Sequence, residues 1–133
     1  MRVTLGLGLA GLFALAMAMP VRAHHAHGNY AAEFTDFTGT VKEVHFLNPH
    51  SWVYLEVKNT KGEMETWAME AAGRQGLARI GVDANYIKAG DTIKARCHVL
   101  KDGSTGCLLG FLKGRDGTVK DWDGGMAQPE GDF

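Results

Sequence analysis

No excess of positive charge runs through this 133-residue chain: 14 Lys and Arg face 15 Asp and Glu, a formal net charge of −1. Without a basic stripe, the electrostatic footprint that nucleic-acid binding requires is missing. Catalytic signatures are lacking too. There is no Gly-x-Ser-x-Gly elbow, no phosphate-cradling glycine loop and no His-Glu-x-x-His helix, and the 18 glycines are dispersed rather than clustered. Only Ser51 and Ser104 stand as serine nucleophile candidates, and neither has a nucleophile context, so no catalytic residue is assigned and the chain reads as non-enzymatic. Cysteine is scarce as well, with Cys97 and Cys107 alone. Two thiols without a Cys-x-x-Cys spacing give no zinc or thioredoxin-like motif.

One long apolar run is present, and it lies at the start. Arg2 supplies a positive n-region, Val3 to Met19 an apolar h-region, and Pro20-Val21-Arg22-Ala23 small residues at the −3 and −1 positions, so residues 1–23 read as a cleavable signal peptide. The run is short for a membrane span, and no Cys follows it to take a lipid. The expected product is a periplasmic or secreted protein with no stable membrane anchor. Its two cysteines then meet an oxidising compartment, where a Cys97–Cys107 disulfide is the default.

What remains is one domain, residues 24–123, with a tail from Gly124 to Phe133 whose glycine, proline and acidic residues offer little to bury and which is expected to be flexible. Within the domain the first strand signal covers 38–46. Val41 and Val44 stand three apart, which breaks strict alternation and suggests a β-bulge. Asn48-Pro49 marks a turn. From Ser51 to Val57, Val53, Leu55 and Val57 share one face while Trp52, Tyr54 and Glu56 share the other, with His50 just before them.

Asn59-Thr60-Lys61-Gly62 reads as a hairpin turn into a third strand over 63–71. Leu77 and Ile80 sit at helical spacing within 74–80, and Asp83 can open a second short turn toward Ile87. Strands over 92–100 and 105–112, joined at Lys101-Asp102-Gly103-Ser104, complete the pattern. The prediction is a mainly β domain: a small five-stranded OB-like β-barrel with a short helical insert between strands 3 and 4. An SH3-like or sandwich arrangement is the competing architecture.

The pieces His24-His25, Tyr30-Ala31-Ala32-Glu33-Phe34, Gly39-Thr40-Val41, Asn48-Pro49-His50, Trp67-Ala68-Met69-Glu70 and Lys101-Asp102-Gly103, in this order, resemble an exported bacterial family known as domain of unknown function 6152. The paired histidines, the Asn-Pro-His turn and the Trp-x-x-Glu strand are the specific parts. The resemblance implies a small exported β-barrel and brings no established activity. One departure is visible, since Ala26-His27-Gly28-Asn29 intervenes where members of the family run more directly from His-His into the Ala-Ala-Glu-Phe segment.

Cleavage after Ala23 leaves a mature start of His24-His25-Ala26-His27, three imidazoles beside a free amine. Neutral imidazole suits copper and zinc, and copper(II) accepts nitrogen donors in a tetragonal plane. His24 and His25 are the first candidate ligands, His50 the preferred distant one, and His27 and His45 the alternatives, with copper as the expected cofactor. The competing reading is a polar leader with incidental histidines. In that case Trp52 and Tyr54, with Glu70 near them, form a face for a periplasmic partner protein or a small ligand. The N-terminal segment, with Tyr30 and Phe34, is expected to pack over those two rings. His98 is expected to be structural, Trp67 to be core, and Glu70 to be either a carboxylate supporting His50 or a solvated edge residue.

Overall fold

A computed structural model of the protein describes residues 27–133. The proposed signal peptide, His24 and His25 lie outside the described residues. A short 3-10 helix, His27–Asn29, leads into β1 (Thr35–His45), β2 (His50–Lys58), β3 (Met64–Ala72), α1 (Arg74–Arg79), β4 (Thr92–Val99), β5 (Gly106–Lys113) and β6 (Val119–Asp121). Strands β1, β2 and β3 form an antiparallel meander, β4 pairs with β1, β5 with β4, and a parallel β3–β5 pairing closes the barrel. This is a mainly β fold with a closed five-stranded mixed barrel and one short helix between β3 and β4. Among the described residues no helix is long and apolar enough to cross a membrane.

The bulge expected from the Val41/Val44 spacing is present. Val41 faces Leu55 and Glu43 faces Tyr54, so Lys42 is the extra residue and β1 bends enough to pair with β2 at one end and β4 at the other. Alternation along β2 holds: Ser51, Val53 and Leu55 are buried while His50, Trp52 and Tyr54 lie on the outer face. The β2–β3 register is set at the turn. Asn59 Oδ1 accepts from the backbone N–H groups of Lys61 and Glu63, both at 2.9 Å, its amide donates to Glu65, and Gly62 takes the positive φ of 84° that the turn needs.

Val53, Leu55, Met69, Leu77, Ile87, Leu109 and Leu112 fill the barrel. Trp67 is only partly buried and packs on Phe37, ring centroids 4.3 Å apart. Two features were not expected. A sixth strand, β6, adds to β5, and Trp122 directly after it is fully buried, its carbonyl accepting from Ala72 N–H. Three residues are too few to show a period, which is why the sequence does not reveal β6. Cys97 and Cys107 are bonded, with Cα atoms 5.8 Å apart, and both sit inside the barrel. Asp83 turns the chain through its side chain, which accepts from Asn85 N–H, and through its carbonyl, which accepts from Tyr86 N–H.

Candidate functional site

The β2–β3 register fixes which outer-face side chains meet. His50 pairs with Ala72 and Trp52 with Glu70, so His50 and Glu70 are diagonal neighbours across the two strands. That separation is within reach of long side chains. They do meet: His50 Nδ1 lies 3.3 Å from Glu70 Oε1, with the two side chains 30% and 21% exposed. The other carboxylate oxygen, Oε2, accepts a 2.9 Å hydrogen bond from the Tyr30 hydroxyl. One half-buried carboxylate thus ties the turn before β2 to the chain entering from the N-terminus.

The backbone around Tyr30 explains its placement. Tyr30 forms a bridge with Leu100, Ala31 N–H donates to the Val99 carbonyl at 2.8 Å, and Lys101 Nζ donates to the Gly28 carbonyl at 3.0 Å. The N-terminal segment is therefore seated on the end of β4 before it reaches β1. Burial comes first, and the hydrogen bond and charge of Glu70 next, in pushing the Tyr30 hydroxyl up to about 12. A folded-state value above the ordinary 10.0 means that this stabilisation is complete below pH 10 and is lost as the pH rises toward 12. The absorbance difference between wild type and Tyr30→Phe should accordingly show a tyrosine ionising well above the ordinary value, and Glu70→Gln should lower it. A Tyr30 that ionises near its ordinary value in the native protein would exclude the Tyr30–Glu70 bond.

The turn carrying His50 is braced from the opposite side. Asn48-Pro49 is a cis peptide. Arg74 N–H donates to the Leu47 carbonyl at 2.8 Å, and the Asn48 side-chain oxygen accepts from Gln75 N–H at 3.4 Å. Gly73, which precedes α1, has no side chain to cap it, so Asn48 reaches in from 27 residues away to take up a free amide of the first turn.

The remaining candidates separate. His45 opposes Trp52 on the same face, but its ring contacts run to Glu43 Oε2 at 2.9 Å and edge-on to Tyr54 at 5.6 Å. His27 belongs to the 3-10 helix immediately before Tyr30. Trp52 and Tyr54 are half-buried beside Glu70 and Ala68. Of the two aromatics expected over them, Tyr30 comes to Glu70 on this face, whereas Phe34 stacks on His98 with centroids 3.9 Å apart. Gly110 makes room for that ring, since a Cβ there would meet Phe34 Cε1 at 2.7 Å. His98 is held by this stack and by the Glu33 carbonyl. Among the described residues, no group of three or more His, Cys, Asp or Glu is gathered as a metal cluster. Within 3.3 Å of each other, His50 and Glu70 are two groups of these types that do meet.

Sequence reasoning placed His50 and Glu70 at one end of the barrel but missed Tyr30 as the partner of Glu70. No local pattern marks that pair, because Tyr30 and Glu70 stand 40 residues apart and meet only in the closed barrel.

A family model described as "Family of unknown function (DUF6152)" matches residues 13–109 of this chain. No curated protein and no solved structure matches it.

Proposed function

We propose, for a chain that belongs to the DUF6152 family and takes no activity from it, that the protein is an exported, non-enzymatic β-barrel that binds a transition metal, copper foremost, through the mature N-terminus and His50. Its cellular place in this reading is the periplasm or the medium, reached by way of the apolar leader. The single observation that carries the reading is the Tyr30–Glu70–His50 chain. A carboxylate on one imidazole nitrogen is the usual support of a metal-ligating histidine, because it fixes the tautomer and turns the second nitrogen's lone pair outward. Glu70 also holds Tyr30, and with it the root of the segment that carries His24, His25 and His27. From Tyr30 to His24 is six residues, about 20 Å of extended chain, and less where it is helical, so the leader can return to His50.

Copper(II) supplies a preference for several nitrogen donors, and an N-terminal histidine offers an amine and a ring nitrogen together. His24 and His25 would provide these, with His50 as the distant ligand and Glu70 holding its ring. Titration of protein beginning at His24 should show uptake of about one copper equivalent, with affinity falling about 10- to 100-fold in Glu70→Gln and at least as far in His50→Ala. An extra residue ahead of His24 should weaken binding by removing the amine chelate. Unchanged affinity in His50→Ala would end this reading.

A second reading rests on Trp52 and Tyr54 lying side by side and half-buried on the same face, where a partner protein or small ligand could stack. Trp52→Ala separates the two readings. It leaves copper uptake intact if the metal site is the function, and abolishes partner capture if the aromatic face is.

A further inference from the structure

The segment after Gly124 contributes nothing to the barrel core, and Met126 within it is 89% exposed. Its far end nevertheless meets a cluster of cations on β4 and β5. Lys94 Nζ, Arg96 Cζ and Lys113 Nζ lie 5.1, 4.9 and 5.8 Å from the centroid of the Phe133 ring. Arg96 donates to the carbonyls of Glu130 at 2.6 Å and Asp132 at 3.0 Å, and Lys113 donates to the carbonyl of Phe133. Phe111 lies beneath, its ring centroid 6.5 Å from that of Phe133.

We propose that Lys94, Arg96, Lys113 and Phe111 form a docking face for an acidic peptide segment bearing a phenylalanine, and that residues 130–133 occupy it in cis as a releasable strap. Each part of the face has its own chemistry. Three cations around one ring match the negative face of an aromatic quadrupole, which selects the aromatic side chain. Donors from Arg96 and Lys113 take backbone carbonyls, which any extended peptide presents. Arg96 is oriented in advance by its paired hydrogen bonds to Asp36, Nε to Oδ1 at 2.6 Å and Nη2 to Oδ2 at 2.9 Å. Lys94 also lies 3.5 Å from Asp36. Three positive groups against this one carboxylate leave the face positive, which complements the acidic Glu130 and Asp132 positions of the strap.

Release follows from what holds the strap. Its contacts are charge-assisted and at the surface, so salt screens them. The glycines at 124, 125 and 131 raise the entropy lost on docking. Closer to the barrel Asp121 accepts from the N–H of Gly124 through its carbonyl, at 3.2 Å, and from the N–H of Ala127 through its carboxylate, at 3.0 Å.

The test uses the full chain and, as probe, a fluorescein-labelled peptide with the sequence of residues 124–133. Binding is read by fluorescence anisotropy at low ionic strength. Wild type resists the probe because its own strap competes at high effective concentration; Phe133→Ala loosens the strap and should bind at least about tenfold more tightly. Adding Arg96→Gln to Phe133→Ala should abolish the gain, as should high salt. Equal affinity of wild type and Phe133→Ala, including no binding by either, overturns the proposal. So does a gain that survives Arg96→Gln, because the probe would then be docking elsewhere.

Discussion

Reduction of the Cys97–Cys107 bond, or its replacement in Cys97→Ala/Cys107→Ala, is expected to destabilise the barrel by about 2–3 kcal/mol and to lower its melting temperature by about 10–20 °C. The closed loop spans a sequence separation of only 10, so chain entropy alone places the effect at the lower end for disulfides. Position adds to it. Cys107 opposes Met69 in the middle of the parallel β3–β5 pairing, which has only three register pairs, Ala68 with Gly106, Met69 with Cys107 and Glu70 with Leu108. On the antiparallel side Cys107 faces Val99 while Cys97 faces Leu109, so the bond crosses β4 and β5 diagonally and pins the short seam to the longer hairpin. Alanine leaves no unsatisfied polar atom at these sites, which are 0% and 2% exposed, so the loss measured is that of the crosslink and a small void. Calorimetry with and without reductant reads the effect. A midpoint that moves by no more than a degree or two would show that the seam holds without the bond.

The same seam shows why part of the site could be read from sequence and part could not. His50, Trp52 and Tyr54 declared their shared face through alternation in β2, because a buried sheet face enforces a period of two. The Asn59–Gly62 turn implied a hairpin, and the pairing it produces places Glu70 diagonal to His50. These are local signals, carried by residues fewer than 25 positions apart. Tyr30 reaches Glu70 from 40 residues away and depends on barrel closure, which periodicity does not encode. Trp122 escaped notice for a related reason: it follows a three-residue strand and is buried beside Phe46 and Tyr86, far from it in sequence, rather than by a pattern of its own. That the last ring of the tail would find three cations on β4 and β5 had no local signature.

Gly73→Ala tests how tightly the His50 turn is held against α1, and it should destabilise the protein by about 2–3 kcal/mol. The glycine is not needed for its backbone, since φ is −64° and ψ is 158°, values open to every residue. It is needed for space. A Cβ at position 73 would stand 2.6 Å from the Pro49 carbonyl oxygen and 2.8 Å from Asn48 Oδ1. The first of these atoms is backbone and cannot swing aside. Relief therefore requires the turn and the helix start to separate, at the expense of the Arg74–Leu47 and Gln75–Asn48 hydrogen bonds.

His50 follows immediately on Pro49 and would shift with it relative to Glu70, so copper affinity should fall together with stability if His50 is a ligand. Gly76→Ala supplies the control within the same short helix. There a new Cβ meets only the Ala72 Cβ at 3.7 Å, an ordinary contact, and the exchange of glycine for alanine should stabilise the helix by about 0.5–1 kcal/mol. Opposite signs for the two substitutions, three residues apart, would locate the constraint in the contact between the Asn48-Pro49 turn and Gly73. Equal and small effects would mean that the turn yields freely and that its contact with Gly73 does not position His50.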